Sequence, residues 1–177
     1  MPSKKDVHEV HESIKKMVVA TERENLKEWE ADGIWRLQIK HGLFNIFLVH
    51  SVNGSVMRLI FPITIDDEKT SKKFDEIFNN SKTGVKATYL LRSSLNNPHC
   101  AYEILKRDNL FNGFQILMNL FPFEKDFSVR ILDAGIQMII GVGISGIDLL
   151  KTLGGNIELQ QKATTDFPKT DPGPMYG

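Results

Sequence analysis

The sequence has one cysteine among 177 residues, so an internal disulfide is excluded. Residues 1–6 contain charged side chains and no apolar run, so no secretory signal is predicted. A reduced, cytoplasmic setting is therefore expected. The chain also lacks an excess of either charge, because 22 Lys and Arg balance 22 Asp and Glu. Since polyanion binding depends on clustered cations, bulk nucleic acid is not an expected partner.

No uninterrupted apolar segment reaches the roughly 20 residues that a membrane-spanning helix needs. The nearest candidate, residues 131–150, contains Asp133, Gln137 and Asp148. Its uninterrupted apolar or small stretch, residues 138–147, is about half that length. A buried helix, rather than a membrane span, is the expectation.

What the sequence does contain is a clear pattern of antiparallel strands. Residues 34–41 alternate between apolar and polar side chains, as a strand with one wet face does. Two further apolar runs, 44–52 and 56–65, meet at Asn53-Gly54, a pair that is typical of a type I′ hairpin turn. An antiparallel three-strand meander is therefore predicted.

Helical patterns surround the meander. Apolar side chains from Val7 to Trp29 recur at helical spacing, which predicts one long amphipathic helix over residues 5–31. Asp66, Asp67 and Glu68 predict the start of a second helix, because anionic side chains stabilise the exposed N–H groups there. The remaining patterns predict a strand over 85–95, an element over 98–106 that is either a short helix or a strand, and helices over 110–121 and 127–153.

These elements make up a single α+β domain over residues 1–158, with C-terminal helices and one or two strands after the meander. Residues 159–177 are polar and contain Pro168, Pro172 and Pro174. This tail is predicted to be disordered or loosely packed.

Gly141, Gly143 and Gly146 match the G-x-G-x-x-G pattern of dinucleotide sites, in which backbone N–H groups contact the pyrophosphate. The pattern lies near the C-terminus, without room for the parallel strands and crossovers of such a fold. Small residues that let another part of the chain approach a buried helix explain it as well. The pattern supports a nucleotide- or metabolite-binding enzyme only as the alternative function.

Two further groups of residues suggest chemistry. His8 and His11 lie three apart on the first predicted helix, a spacing that places two imidazoles on one side. A zinc site needs three or four ligands, so no metal or other cofactor is predicted. His99-Cys100 places a base next to a thiol, but neighbours in sequence rarely point at each other, so no catalytic residue is assigned. The aromatic side chains between Phe111 and Phe127 fit either a core or a ligand groove.

The order of these elements, with the Asn53-Gly54 hairpin, resembles the α+β domain of type III secretion chaperones and of uncharacterised archaeal and bacterial proteins that share its fold. The resemblance extends over residues 7–153 and concerns topology only. It implies a non-enzymatic protein- or peptide-binding module that forms a homodimer. The chain differs from secretion chaperones in its neutral charge and in the apolar segment 110–121. A homodimer is also expected because the apolar stripes of the first and last helices exceed what one small sheet covers.

Overall fold

The computed structural model describes residues 4–154, so the predicted tail over 159–177 lies outside the described residues. Within the described part the chain forms four helices and six strands. Their order is α1 (Lys4–Ala20), β1 (Glu24–Ala31), β2 (Ile34–His41), β3 (Phe44–Ser51), β4 (Met57–Thr64), α2 (Glu68–Asn79), α3 (Gly84–Leu95), β5 (Ala101–Arg107), β6 (Leu110–Leu120) and α4 (Val129–Gly154).

The six strands form one antiparallel sheet in the order β1-β2-β3-β4-β6-β5. Strands β1 to β4 form a meander, and the β5–β6 hairpin joins it by pairing β6 with β4. Helices α2 and α3 connect the two parts. The predicted α+β class is confirmed.

The helices pack on one face of this sheet. Leu37, Leu48, Leu59 and Met118 are successive cross-strand partners and therefore point to the same side. The core on that side also contains Ile14 and Val18 of α1, Phe74 of α2, Leu91 and Leu95 of α3, and Leu132, Ile136 and Ile139 of α4. The opposite side, which we call the open face, has its own small apolar cluster.

The predicted helix over 5–31 is wrong in its second half. Helix α1 ends at Ala20. Two residues later Glu22 adopts a positive φ of 59°, and the backbone N–H of Arg23 donates to the Val18 carbonyl at 3.3 Å. Such a left-handed residue cannot continue a helix. The chain then reverses into β1, which pairs with β2 through a bulge at Leu26. The meander therefore has four strands, not three.

Other predicted elements are also corrected. Residues 85–95 belong to helix α3 rather than to a strand, so two helices follow the meander. Residues 110–120 form strand β6 rather than a helix, so α4 is the one C-terminal helix of the described residues. The region 98–106 contains strand β5, the strand alternative. The helix predicted over 127–153 and the helix start at Asp67 are confirmed, since Asp67 caps α2 by accepting from the Thr70 N–H at 2.8 Å.

The hairpin at Asn53-Gly54 is present, but its turn type is not the predicted one. Neither residue has a positive φ, which a type I′ turn requires at both positions. The loop is longer, because β4 begins only at Met57. Two-residue turns with two positive φ angles occur instead at Asp32-Gly33, between β1 and β2, and at Asp108-Asn109, between β5 and β6.

Helix α4 is long and apolar enough to cross a membrane by length and composition, alone among the helices of the described residues. Ten of its 26 residues are buried against the rest of the chain, including Leu132, Ile139 and Leu150. A core helix meets the same two criteria, so this feature is weak support for a membrane span.

Candidate functional site

The edge of the sheet has a notch, because β5 begins at Ala101 and is too short to pair with the last residues of β6. Ala101, the first residue of β5, pairs with Leu117 of β6. The next residues of β6, Met118 to Leu120, pair with β4 on one side but with no strand of the described chain on the other. A short isolated bridge between Asn97 and Cys100 turns the preceding chain away. Three residues of β6 therefore have an open edge.

A cleft of about 550 Å³ lies over this notch. Strand β6 and the start of β5 form one wall, while the 121–127 segment and the first turn of α4 form the other. Phe121 is 46% exposed and Ile131 is 40% exposed, so both offer apolar surface to a ligand. The cleft is lined by Pro98, His99, Cys100, Ala101, Leu117, Met118, Asn119, Leu120, Phe121, Glu124, Asp126, Phe127 and Ile131.

The charged side chains in the cleft are acidic. Glu124 and Asp126 line it, whereas no Lys or Arg does. Both carboxylates belong to exposed residues, so they keep their solvation and can take part in an ion pair without a large desolvation cost.

Cys100 lines the cleft but lacks the lowered thiol pKa of a nucleophilic cysteine. Burial raises the pKa of its thiol, whereas a reactive thiolate requires a lowered pKa. Neighbouring His99 is exposed, and its N–H donates to Asn97 Oδ1 at 2.9 Å within a local turn. His99 and Cys100 are therefore better suited to form part of the wall of a binding cleft than to catalyse acyl transfer.

The aromatic residues of the 111–127 region have separate roles. Phe111 and Phe114 are buried in the core, at 5% and 0% exposure. Phe121 and Phe127 line the cleft, while the Phe123 ring packs 5.5 Å from the His50 ring. Some of these aromatic side chains therefore belong to the core, and others line the cleft.

The His8 and His11 side chains lie in different surroundings. His8 is exposed, whereas His11 is 5% exposed and stacks on Trp35 with ring centroids 4.0 Å apart. His11 Nε2 lies 2.9 Å from Nδ1 of His50, a histidine that is fully buried. Within residues 4–154, no three His, Cys, Asp or Glu side chains come together as ligands for a metal ion.

This histidine pair has one consistent protonation pattern. His50 Nε2 lies 3.0 Å from the Gly54 carbonyl, which can only accept, so that nitrogen has the proton. His50 Nδ1 is then an acceptor and His11 Nε2 donates to it. Burial lowers the pKa of His11 to about 4, with a further contribution from His50, and burial also lowers the pKa of His50.

The three glycines of the G-x-G-x-x-G pattern lie in the interior of α4, not in a loop before a helix N-terminus. A Cβ on Gly143 would lie 2.4 Å from Phe61, and one on Gly146 would lie 2.4 Å from Phe114. Around Gly141 nothing lies within 4 Å of that position. Gly143 and Gly146 therefore let aromatic rings of the sheet approach α4 closely, while Gly141 faces outward.

The open face of the sheet forms a second apolar surface. Phe47, Ile60 and Leu117 are successive cross-strand partners and form a cluster flanked by Trp29 and Val49. Ala101 adjoins it as well. The three central members are 3–6% exposed, whereas Trp29 and Val49 are only partly buried.

Comparisons with known proteins place the fold but not the function. The structure is similar to the crystal structure of an uncharacterized protein from Methanothermobacter thermautotrophicus, with a TM-score of 0.68 and 11% sequence identity. The match covers 82% of this chain and 99% of that one. No protein-family model and no curated protein matches the sequence. At 11% identity the match concerns the fold alone, and the resemblance to secretion chaperones stays a prediction.

The sequence pointed to four residues of the cleft, His99, Cys100, Phe121 and Phe127, but not to the cleft itself. Its position depends on β5 being shorter than β6, and sequence patterns do not fix strand lengths that closely. Pro98, three residues before the start of β5, was the one local sign that the strand could not extend far back.

Proposed function

We propose that this protein is a non-enzymatic module that binds a protein or peptide segment in the cleft between β6 and the 121–127 segment. The observation that supports the proposal most is the exposed apolar surface of Phe121 and Ile131 beside an open strand edge. Exposed apolar side chains around a concave surface are typical of recognition sites. The raised pKa of the Cys100 thiol adds to the case against a nucleophilic enzyme at this cleft.

Selection from a display library of linear 12-residue peptides tests this function. We expect the wild-type chain to enrich peptides that bind at micromolar concentrations, and Phe121→Asp/Ile131→Asp to weaken them at least tenfold. Val85→Asp is the matched control, because Val85 is 83% exposed on α3, outside the cleft. That variant should bind the peptides like the wild type.

Two results would contradict the proposed function. One is a selection without enriched peptides, or with peptides that bind the double variant as tightly as the wild type. The other is a clear rise in melting temperature with ATP or NAD(P), removed by Gly141→Val, at the glycine of the pattern that has open space around its Cβ position. Such a rise would report ligand binding to the native state and would favour the nucleotide-binding enzyme.

We also propose that the chain forms a homodimer, for a reason that differs from the one drawn from sequence. The apolar stripe of α1 no longer gives a reason to expect a homodimer, since Val7, Ile14 and Val18 are buried within the same chain. The open face provides a different reason, because Trp29 and Val49 remain only partly buried there, beside the buried cluster of Phe47, Ile60 and Leu117. A two-fold partner placed on this face would bury these two side chains.

Light scattering coupled to gel filtration checks the homodimer. At tens of micromolar we expect twice the chain mass of 20.1 kDa, and Val49→Asp on the open face should return the chain to a monomer. The exposed α3 variant Val85→Asp should remain a dimer. A wild-type mass near 20.1 kDa would show that the open face has no second copy on it.

A further inference from the structure

The chemistry of the cleft indicates which segment it binds, an inference that rests on the proposed function. We infer that the ligand is an extended segment that adds to the sheet beside β6 and places a Lys or Arg side chain against Glu124 and Asp126. This ligand combines strand addition with an ion pair. Three features of the cleft lead to it.

The first feature is the open edge of β6. In an antiparallel ladder the backbone N–H and C=O groups of successive residues point alternately to the two neighbouring strands. In residues 118–120, some of these backbone groups point toward β4, and the others point toward the space that β5 does not reach. Edge backbone groups of this kind accept an added strand from another chain.

The second feature is that β5 cannot fill the gap itself. Its chain comes out of the Asn97–Cys100 bridge, where Asn97 Oδ1 accepts from the His99 N–H and Pro98 lacks an N–H to donate. Because of this turn, β5 begins only at Ala101. Ligand residues would continue the line of β5, not displace it.

The third feature is the pairing of apolar and acidic groups around this edge. Phe121 and Ile131 offer apolar contacts, whereas Glu124 and Asp126 offer carboxylates. Lys125, between the two carboxylates in sequence, does not line the cleft. Side chains of an extended peptide alternate in direction, so a segment that alternates apolar and basic residues matches both groups at once.

The peptides enriched on the wild-type chain provide the test. We expect Lys and Arg to be at least twofold more frequent in them than in the unselected library. Synthetic copies should bind Glu124→Lys/Asp126→Lys at least tenfold more weakly, and Glu124→Gln/Asp126→Asn with a smaller loss. Both carboxylates are exposed, so these variants should keep the wild-type melting temperature. Copies N-methylated at alternate backbone positions should also lose at least tenfold in affinity, in one of the two alternating phases.

The outcomes separate this inference from the function on which it rests. Peptides that need Phe121 but carry no excess of basic residues, or that tolerate N-methylation in both phases, overturn the inference and leave the binding function standing. A selection that yields no cleft-dependent peptide overturns both. Enrichment of basic peptides that lose affinity in both the charge-reversed variant and the N-methylated copies supports it.

Discussion

Replacing Gly143 with alanine is expected to lower the free energy of unfolding by about 2 kcal/mol, the range typical of an overpacked core. The added Cβ would lie 2.4 Å and 2.5 Å from two atoms of the Phe61 ring, which is itself fully buried. Gly141→Ala should have the opposite effect. Nothing lies within 4 Å of its Cβ position, so alanine there should raise stability by up to ~1 kcal/mol through helix propensity.

Urea denaturation of the two alanine variants measures this difference directly. The double variant Gly143→Ala/Phe61→Leu provides the control, because a smaller side chain at position 61 makes room for the new methyl group. Its loss should be smaller than the sum of the two single losses. Equal effects of alanine at Gly141 and Gly143 would contradict the close packing of α4 on the sheet.

Sequence patterns predicted the fold best where one face of an element is apolar and the other polar. Strand β2 alternates Trp35, Leu37 and Ile39 with Arg36 and Lys40, and its bounds match the prediction. Helix α4 was recognised because its apolar residues extend over many turns. In both elements, burial of one face fixes the register, so the pattern in the sequence is strong.

The wrong predictions for β1 and α3 share a physical origin, which is an apolar pattern with the wrong apparent period. In β1 the bulge at Leu26 breaks the alternation, so Leu26 and Trp29 fall at helical spacing although they lie on a strand. In α3 the buried Ala87, Leu91 and Leu95 recur every four residues, but the exposed Val85 obscures the stripe.

The prediction of a helix over residues 110–121, where the structure has β6, failed for a different reason. Strand β6 is apolar on both faces. Phe114 and Ile116 face the helices, while Leu117 belongs to the cluster on the open face. Length and hydrophobicity then suit a buried helix equally well. Since the cleft is built on the end of β6, this error also concealed the candidate site.

The buried histidine pair leads to a pH dependence of stability. His11 has a pKa of about 4 in the folded chain, against 6.5 for an unperturbed histidine, so the folded state binds fewer protons than the unfolded state between these values. Its contribution to stability is complete above about pH 6.5 and is lost as the pH falls toward 4. The shift corresponds to about 3 kcal/mol, and the lowered pKa of His50 acts in the same direction.

Urea denaturation between pH 7.5 and pH 4 should therefore show a steep acid loss in the wild type and a shallower one in His11→Gln. Glutamine has no charge to gain, and its amide can still donate to His50 Nδ1. His8→Gln is the matched control, three residues away on the same helix but exposed, and should follow the wild-type curve. His41, whose pKa is lowered by burial and by Arg23, adds a slope common to all three proteins. Parallel curves for the wild type and His11→Gln would mean that His11 is not held neutral, because only a histidine that must bind a proton on unfolding can link stability to pH in this window.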